Sequence, residues 1–186
     1  DILSKTALIF NVLINTCMEA YKLKEAYAEW VNKVNYDLFI TLNTEAELTY
    51  EQMSELMCKL FYKTECDVFG KNKNSEWRRE LYKYKDKFHI KRLVVIEHYN
   101  KRTHAHIQVK TLKGFTNEQM IELLKLEYMA LLNTKRGKSF IFHATQIANR
   151  DAVSRYTLKE TNKQNRKLKD VIDLRSSFIS KHSNKQ

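Results

Sequence analysis

A chain of 186 residues has the size of one domain, long enough to bury a sizeable core. Thirty-three Lys and Arg against 22 Asp and Glu leave a formal charge of +11 on a composition that is still 43% hydrophobic, which argues against disorder and favours a polyanionic partner, nucleic acid ahead of an anionic membrane. Three glycines and no proline exclude a glycine-rich dinucleotide fingerprint and any proline-rich docking segment.

The charge is unevenly placed. Residues 1–70 carry 6 basic and 11 acidic side chains, a net of −5, whereas residues 71–186 carry 27 and 11, a net of +16. A polyanion is expected to meet the second part. Cys17, Cys58 and Cys66 are odd in number and form no CxxC or zinc-ligand spacing, so a reducing, intracellular setting is expected. The longest apolar run, Ala7 to Ile14, is too short to span a bilayer and is broken by Asn11, and neither a signal peptide nor a membrane anchor is visible.

In chain order, apolar residues recur at helical spacing from Ser4 to about Val34, predicting one long or two shorter helices. Tyr36 to Asn43 is a β-rich run. Thr49 opens a helix with Met53, Leu56, Met57, Leu60 and Phe61 on one face. Residues 70–91 are polar and basic with interleaved aromatics, beginning as a loop and turning helical. Leu93 to Tyr99 and His104 to Leu112 predict two strands joined by a tight turn. Thr116 caps a helix reaching about Leu132, with Met120, Ile121, Leu124, Tyr128 and Leu131 as its stripe. Ser139 to Ile147 predicts a fourth strand and Arg150 to about Gln164 a further helix. The order β-α-β-β-α-β-α fits an α+β, ferredoxin-like, four-stranded antiparallel sheet with helices on one face. An N-terminal helical extension (1–34) precedes that unit (35–179), and a frayed tail (180–186) follows it. The sheet's other face is then open for chemistry.

His104 and His106 alternate with Ala105 on a predicted strand, so both imidazoles project from one face and could share a metal ion. Glu97, seven residues earlier, joins them if the connecting loop has an even number of residues; an odd loop presents His98 instead. Two neutral nitrogens and one carboxylate leave coordination positions open, which suits catalytic Mg²⁺ or Mn²⁺. Gln108 lies two residues beyond His106 on the same face, as a further ligand or supporting group. Tyr156 and Lys159, three apart on a predicted helix, can point at one phosphate. A phenol with a pKa of about 10 is a weak nucleophile at neutral pH and needs a cation beside it.

The runs VVIEHYNKRTHAHIQV, FITLNT and YTLK resemble, in order and spacing, the three motifs of HUH endonucleases, above all the single-tyrosine replication-initiator class, across about Tyr36 to Lys163. The resemblance implies a metal-dependent nickase that cuts one DNA strand at a specific site, joins the 5′ phosphate to tyrosine, frees a 3′-OH and can rejoin strands. On that reading His104, His106 and Glu97 bind the metal, Tyr156 attacks phosphorus, and Lys159 stabilises charge or positions the phosphate. Phe39, Thr41 and Asn43 shape the strand beneath. Lys101, Arg102, Gln108 and Arg155 are expected to contact DNA, as are Trp77, Arg78 and Arg79, whose segment could equally be an amphipathic helix. The expected partners are single-stranded DNA, as an origin hairpin, together with a helicase or host replication proteins, and no membrane. A transposase or relaxase with the same chemistry is the nearest alternative, and a non-catalytic nucleic-acid-binding module is the alternative of another class.

Gly137-Lys138-Ser139 lacks the first glycine of a P-loop, since residue 132 is leucine, so no ATP-driven motor is expected within this sequence. Lys113-Gly114-Phe115 falls at a strand end without the other aromatics of an RNA-recognition signature. His89 and His143 are read as structural.

Overall fold

The computed structural model describes residues 21–22, 25–45, 47–70, 89–99, 102–132, 140–157 and 172–179. Among the described residues, four helices and four strands follow one another: α1 (25–32), β1 (Leu38–Thr44), α2 (Tyr50–Phe69), β2 (Arg92–Tyr99), β3 (Arg102–Val109), α3 (Asn117–Leu131), β4 (Phe140–Gln146) and α4 (Arg150–Thr157). The strands form one antiparallel sheet in the order β2-β3-β1-β4, the ferredoxin-like arrangement expected from the element order. Among the described residues, no helix is long and apolar enough to cross a membrane.

Both helices of the main layer begin at the threonines that the sequence marks. Thr49 and Thr116 each accept a bond from the backbone N–H three residues on, while Gln52 and Gln119 reach back to the threonine amides. These reciprocal bonds satisfy amide groups that a helix start leaves without partners. Met53, Met57, Leu60 and Phe61 of α2 and Met120, Leu124 and Tyr128 of α3 then meet one face of the sheet, made of Leu38, Ile40, Leu42, Val94, Ile96, Ala105, Ile107 and Val109. The buried Tyr128 hydroxyl donates to the Asn43 carbonyl at 2.9 Å, so its aromatic bulk enters the core without stranding a donor.

The alternate residues of the strands face the other way, and there the structure adds something the sequence does not disclose. Ala28 and Val31 of α1 pack with Tyr36, Leu93, Val95 and Ile172 into a second, smaller core. The segment 172–179 bonds along the outer edge of β2, with Arg92 and Phe178 exchanging both backbone bonds and the Asp173 amide donating to Val94. Part of the face expected to be open is therefore covered at its β2 end, and the N-terminal helix lies on the side of the sheet opposite α2 and α3.

A buried ion pair fastens that edge. The Arg92 guanidinium sits 4.3 Å above the Phe61 ring, donates to Glu65 Oε1 at 2.5 Å, and reaches the carbonyls of Ile90 and Ser176. Glu65 also accepts from the Ile90 amide at 3.0 Å and lies 3.0 Å from His89 Nδ1, giving that histidine the structural part expected of it. Burial pushes the Glu65 carboxyl up, but the His89 hydrogen bond, the Arg92 charge and the Ile90 amide outweigh it and hold the group below its ordinary value of 4.5. A lowered carboxylate contributes stability that is present above its unfolded pKa and is lost as pH falls through the folded one. Glu65→Gln is expected to cost about 3 kcal/mol near neutral pH by leaving Arg92 without its counter-charge, and thermal melts should show the gap from wild type closing below about pH 4.5. By contrast, the Tyr36 hydroxyl is buried without a hydrogen-bond partner among the described residues. Tyr36→Phe should therefore leave the denaturation midpoint unchanged or raise stability by about 1 kcal/mol.

Candidate metal and nucleophile site

The hairpin of β2 and β3 pairs Tyr99 with Arg102, leaving two residues between the strands. That even loop sets the parity: Glu97 stands directly opposite His104, on the same face, and His98 does not take its place. Glu97, His104 and His106 bring one ligand atom each to within 4.8 Å of one another. Glu97 Oε2 is 2.8 Å from His104 Nε2 and 3.4 Å from His106 Nε2.

His106 is 3% exposed, and its Nε2 is buried without a hydrogen-bond partner among the described residues. Its other nitrogen, Nδ1, lies 3.0 Å from Thr41 Oγ1, a neighbour across the β1–β3 ladder. When Nδ1–H donates to Thr41, the Nε2 lone pair is left facing a carboxylate oxygen, and a cation between those two acceptors relieves the arrangement. Such a partner on the distal nitrogen is what fixes a ligating imidazole in its tautomer. The donor set of two nitrogens and one oxygen, held on two adjacent strands, therefore fits a divalent ion with positions left for other ligands.

Tyr156, on α4, is 47% exposed, and its ring stands edge-on to His106 with centroids 5.5 Å apart and edge-on to Phe39 at 5.8 Å. Phe39 in turn stacks on His106 at 5.4 Å. Phe39 and Thr41 thus both meet His106, one through its ring and the other through its hydroxyl.

Gln108 takes the structural, supporting part among the readings open to it. It occupies the predicted face, but it is 2% exposed and donates to Thr157 Oγ1 at 3.0 Å. It is neither grouped with the metal-ligand set nor a surface for DNA; it joins β3 to the helix that carries Tyr156. Arg155 is engaged by Glu25 and Asp151, which hold its guanidinium firmly charged, so the DNA contact expected of it competes with two carboxylates. Trp77, Arg78, Arg79, Lys101 and Lys159 lie outside the described residues, as does the side chain of Arg102. His143, read from the sequence as structural, is exposed on β4 opposite Thr41, in the cross-strand row that contains His106. The pairing of β4 with β1 carries that signal, and residue spacing alone does not.

Comparison of the chain with protein-family models, with curated proteins and with solved structures gives no match.

Titration with Mn²⁺ alone provides a direct check of the ligand set. Binding should be lost in Glu97→Ala and His106→Ala, while Thr41→Val, which removes only the partner of Nδ1, should weaken it by about tenfold or more. Equal affinity in wild type and His106→Ala would show that the cluster is not a metal site.

Proposed function

We propose that this protein is a metal-dependent single-strand DNA nickase and strand transferase that starts rolling-circle replication of a plasmid, virus or related mobile element. The observation that carries the reading is the placement of the Tyr156 ring against His106, on the face where Glu97, His104 and His106 converge. A metal site alone is common to many activities; a half-exposed phenol beside one is what phosphotyrosine chemistry requires.

A divalent ion bound by Glu97, His104 and His106 would polarise the scissile phosphate and offset the charge that develops on it. The Tyr156 oxygen, on losing its proton, forms a bond to phosphorus as the bond from phosphorus to the 3′ oxygen breaks. The departing oxygen takes up a proton and becomes a free 3′-OH, while the 5′ phosphate stays on tyrosine. Attack by another 3′-OH reverses the exchange, joins strands and restores the phenol. Phe39 limits where the ring can lie, and Thr41 keeps the His106 imidazole in one orientation. Single-stranded DNA, presented at an origin hairpin, is the proposed substrate, and a helicase or host replication proteins would use the released primer end. The net charge of +16 on residues 71–186 suits that substrate, and binding should weaken as salt rises.

The test is incubation of the full chain with single-stranded origin oligonucleotides and Mn²⁺, followed by denaturing electrophoresis. Wild type should give a protein–DNA adduct that chelator prevents, and Tyr156→Phe should lower its formation by about a thousandfold or more. No adduct from wild type, or undiminished adduct from Tyr156→Phe, overturns the mechanism.

A further inference from the structure

The described part of the helix that carries Tyr156 spans Arg150–Thr157. Most helical stability in a folded protein comes from tertiary packing, so the orientation of this helix is set by what it touches. Ser154 and Thr157 are its two buried side chains, and at 100° per residue they lie about 60° apart and define its inward edge. Each of their hydroxyls is bonded to a different element. Ser154 Oγ donates to Asn32 Oδ1 of α1 at 2.7 Å. Thr157 Oγ1 accepts from Gln108 Nε2 of β3 at 3.0 Å and passes its own proton to the Val153 carbonyl at 2.7 Å. Tyr156 lies between Ser154 and Thr157 in sequence, about 100° around the helix from Thr157, and its ring meets Phe39 and His106. The Arg155–Glu25 pair adds a third tie, but its arginine is 43% exposed, and solvent-screened pairs of this kind fix little.

We infer that Gln108 and Asn32 are positioning residues for the Tyr156 hydroxyl, fixing from two sides the helical turn on which it stands, Gln108 through Thr157 and Asn32 through Ser154. Gln108 follows His106 on the same face of the same strand, so β3 sets both the imidazoles and the turn that carries the phenol. The N-terminal helix, which the nuclease motifs leave without a task, becomes a support for the helix that carries Tyr156. The catalytic meaning of this arrangement rests on Tyr156 being the nucleophile; the arrangement itself does not.

The experiment therefore reads position and activity separately, in the full chain. With 3-fluorotyrosine in place of Tyr156, the metal-free protein should show one fluorine resonance displaced from that of the free amino acid by the neighbouring rings. Gln108→Leu and Thr157→Val should move it most of the way back, Asn32→Ala part of the way, and Thr157→Ser, which keeps the hydroxyl, not at all. Gln108→Glu should fail to restore it, because the Thr157 proton is already committed to Val153. In the unlabelled proteins, single-turnover adduct formation should fall about 10- to 100-fold in Gln108→Leu and Asn32→Ala, while Mn²⁺ and oligonucleotide affinities stay within about twofold. Resonances that do not move in Gln108→Leu and Asn32→Ala overturn the inference, as does a loss of rate matched by an equal loss of metal binding. An adduct from wild type together with unmoved resonances removes the positioning and leaves the nickase; moved resonances with no wild-type adduct remove the nickase and the catalytic role assigned to the positioning.

Discussion

The two-residue connection between β2 and β3 is the constraint on which the site depends. Because side chains alternate along a strand, changing that loop by one residue would put Glu97 on the helical face of the sheet and leave His104 and His106 facing a different neighbour. The same register places Val94 and Ile96 in the main core and Leu93 and Val95 in the smaller one. A slip would therefore bury a carboxylate among α2 and α3 while turning Val94 and Ile96 out of the main core, and the cost of that exchange, on the order of several kcal/mol, keeps the ligand geometry in place without any metal. The apolar pattern of β2 thus specifies the polar site as a by-product of specifying the core.

Much of the architecture is written locally. The threonine caps at 49 and 116, the period-two runs of the strands and the apolar stripes of α2 and α3 each depend on residues a few positions apart, and each is recovered in the structure close to where the sequence puts it. His104 and His106 are legible for the same reason, since two residues on one strand must share a face. Glu97 was legible only as one branch of a choice, because the parity of a hairpin loop depends on where pairing stops and not on which residues lie in it.

What could not be read depends on contacts between distant parts of the chain. An apolar stripe says that α1 must be covered, but not which face of the sheet covers it; the answer lies in Leu93 and Val95, some sixty residues on. Gln108 looks like any polar strand residue facing a site until α4 arrives and Thr157 takes its amide. His143 joins the row of His106 only because β4 pairs with β1, an arrangement set by the return path through α3. In each case the missing information is a pairing partner, and local spacing is silent about it.

The segment 172–179 gives the chain after Tyr156 a fixed destination. By Ile172 the backbone is already bonded to the outer edge of β2, the side of the sheet farthest from β4. Tyr156 is thus bracketed, with α1 and β3 holding its helix on one side and the β2 edge holding the returning chain on the other. On the proposed chemistry, a DNA end attached at Tyr156 becomes a branch in the middle of a polymer pinned at both flanks. With the chain held at Ser154 and Thr157 around the tyrosine and again from Ile172 onward, the Tyr156 ring is kept over the face of the sheet that carries His106.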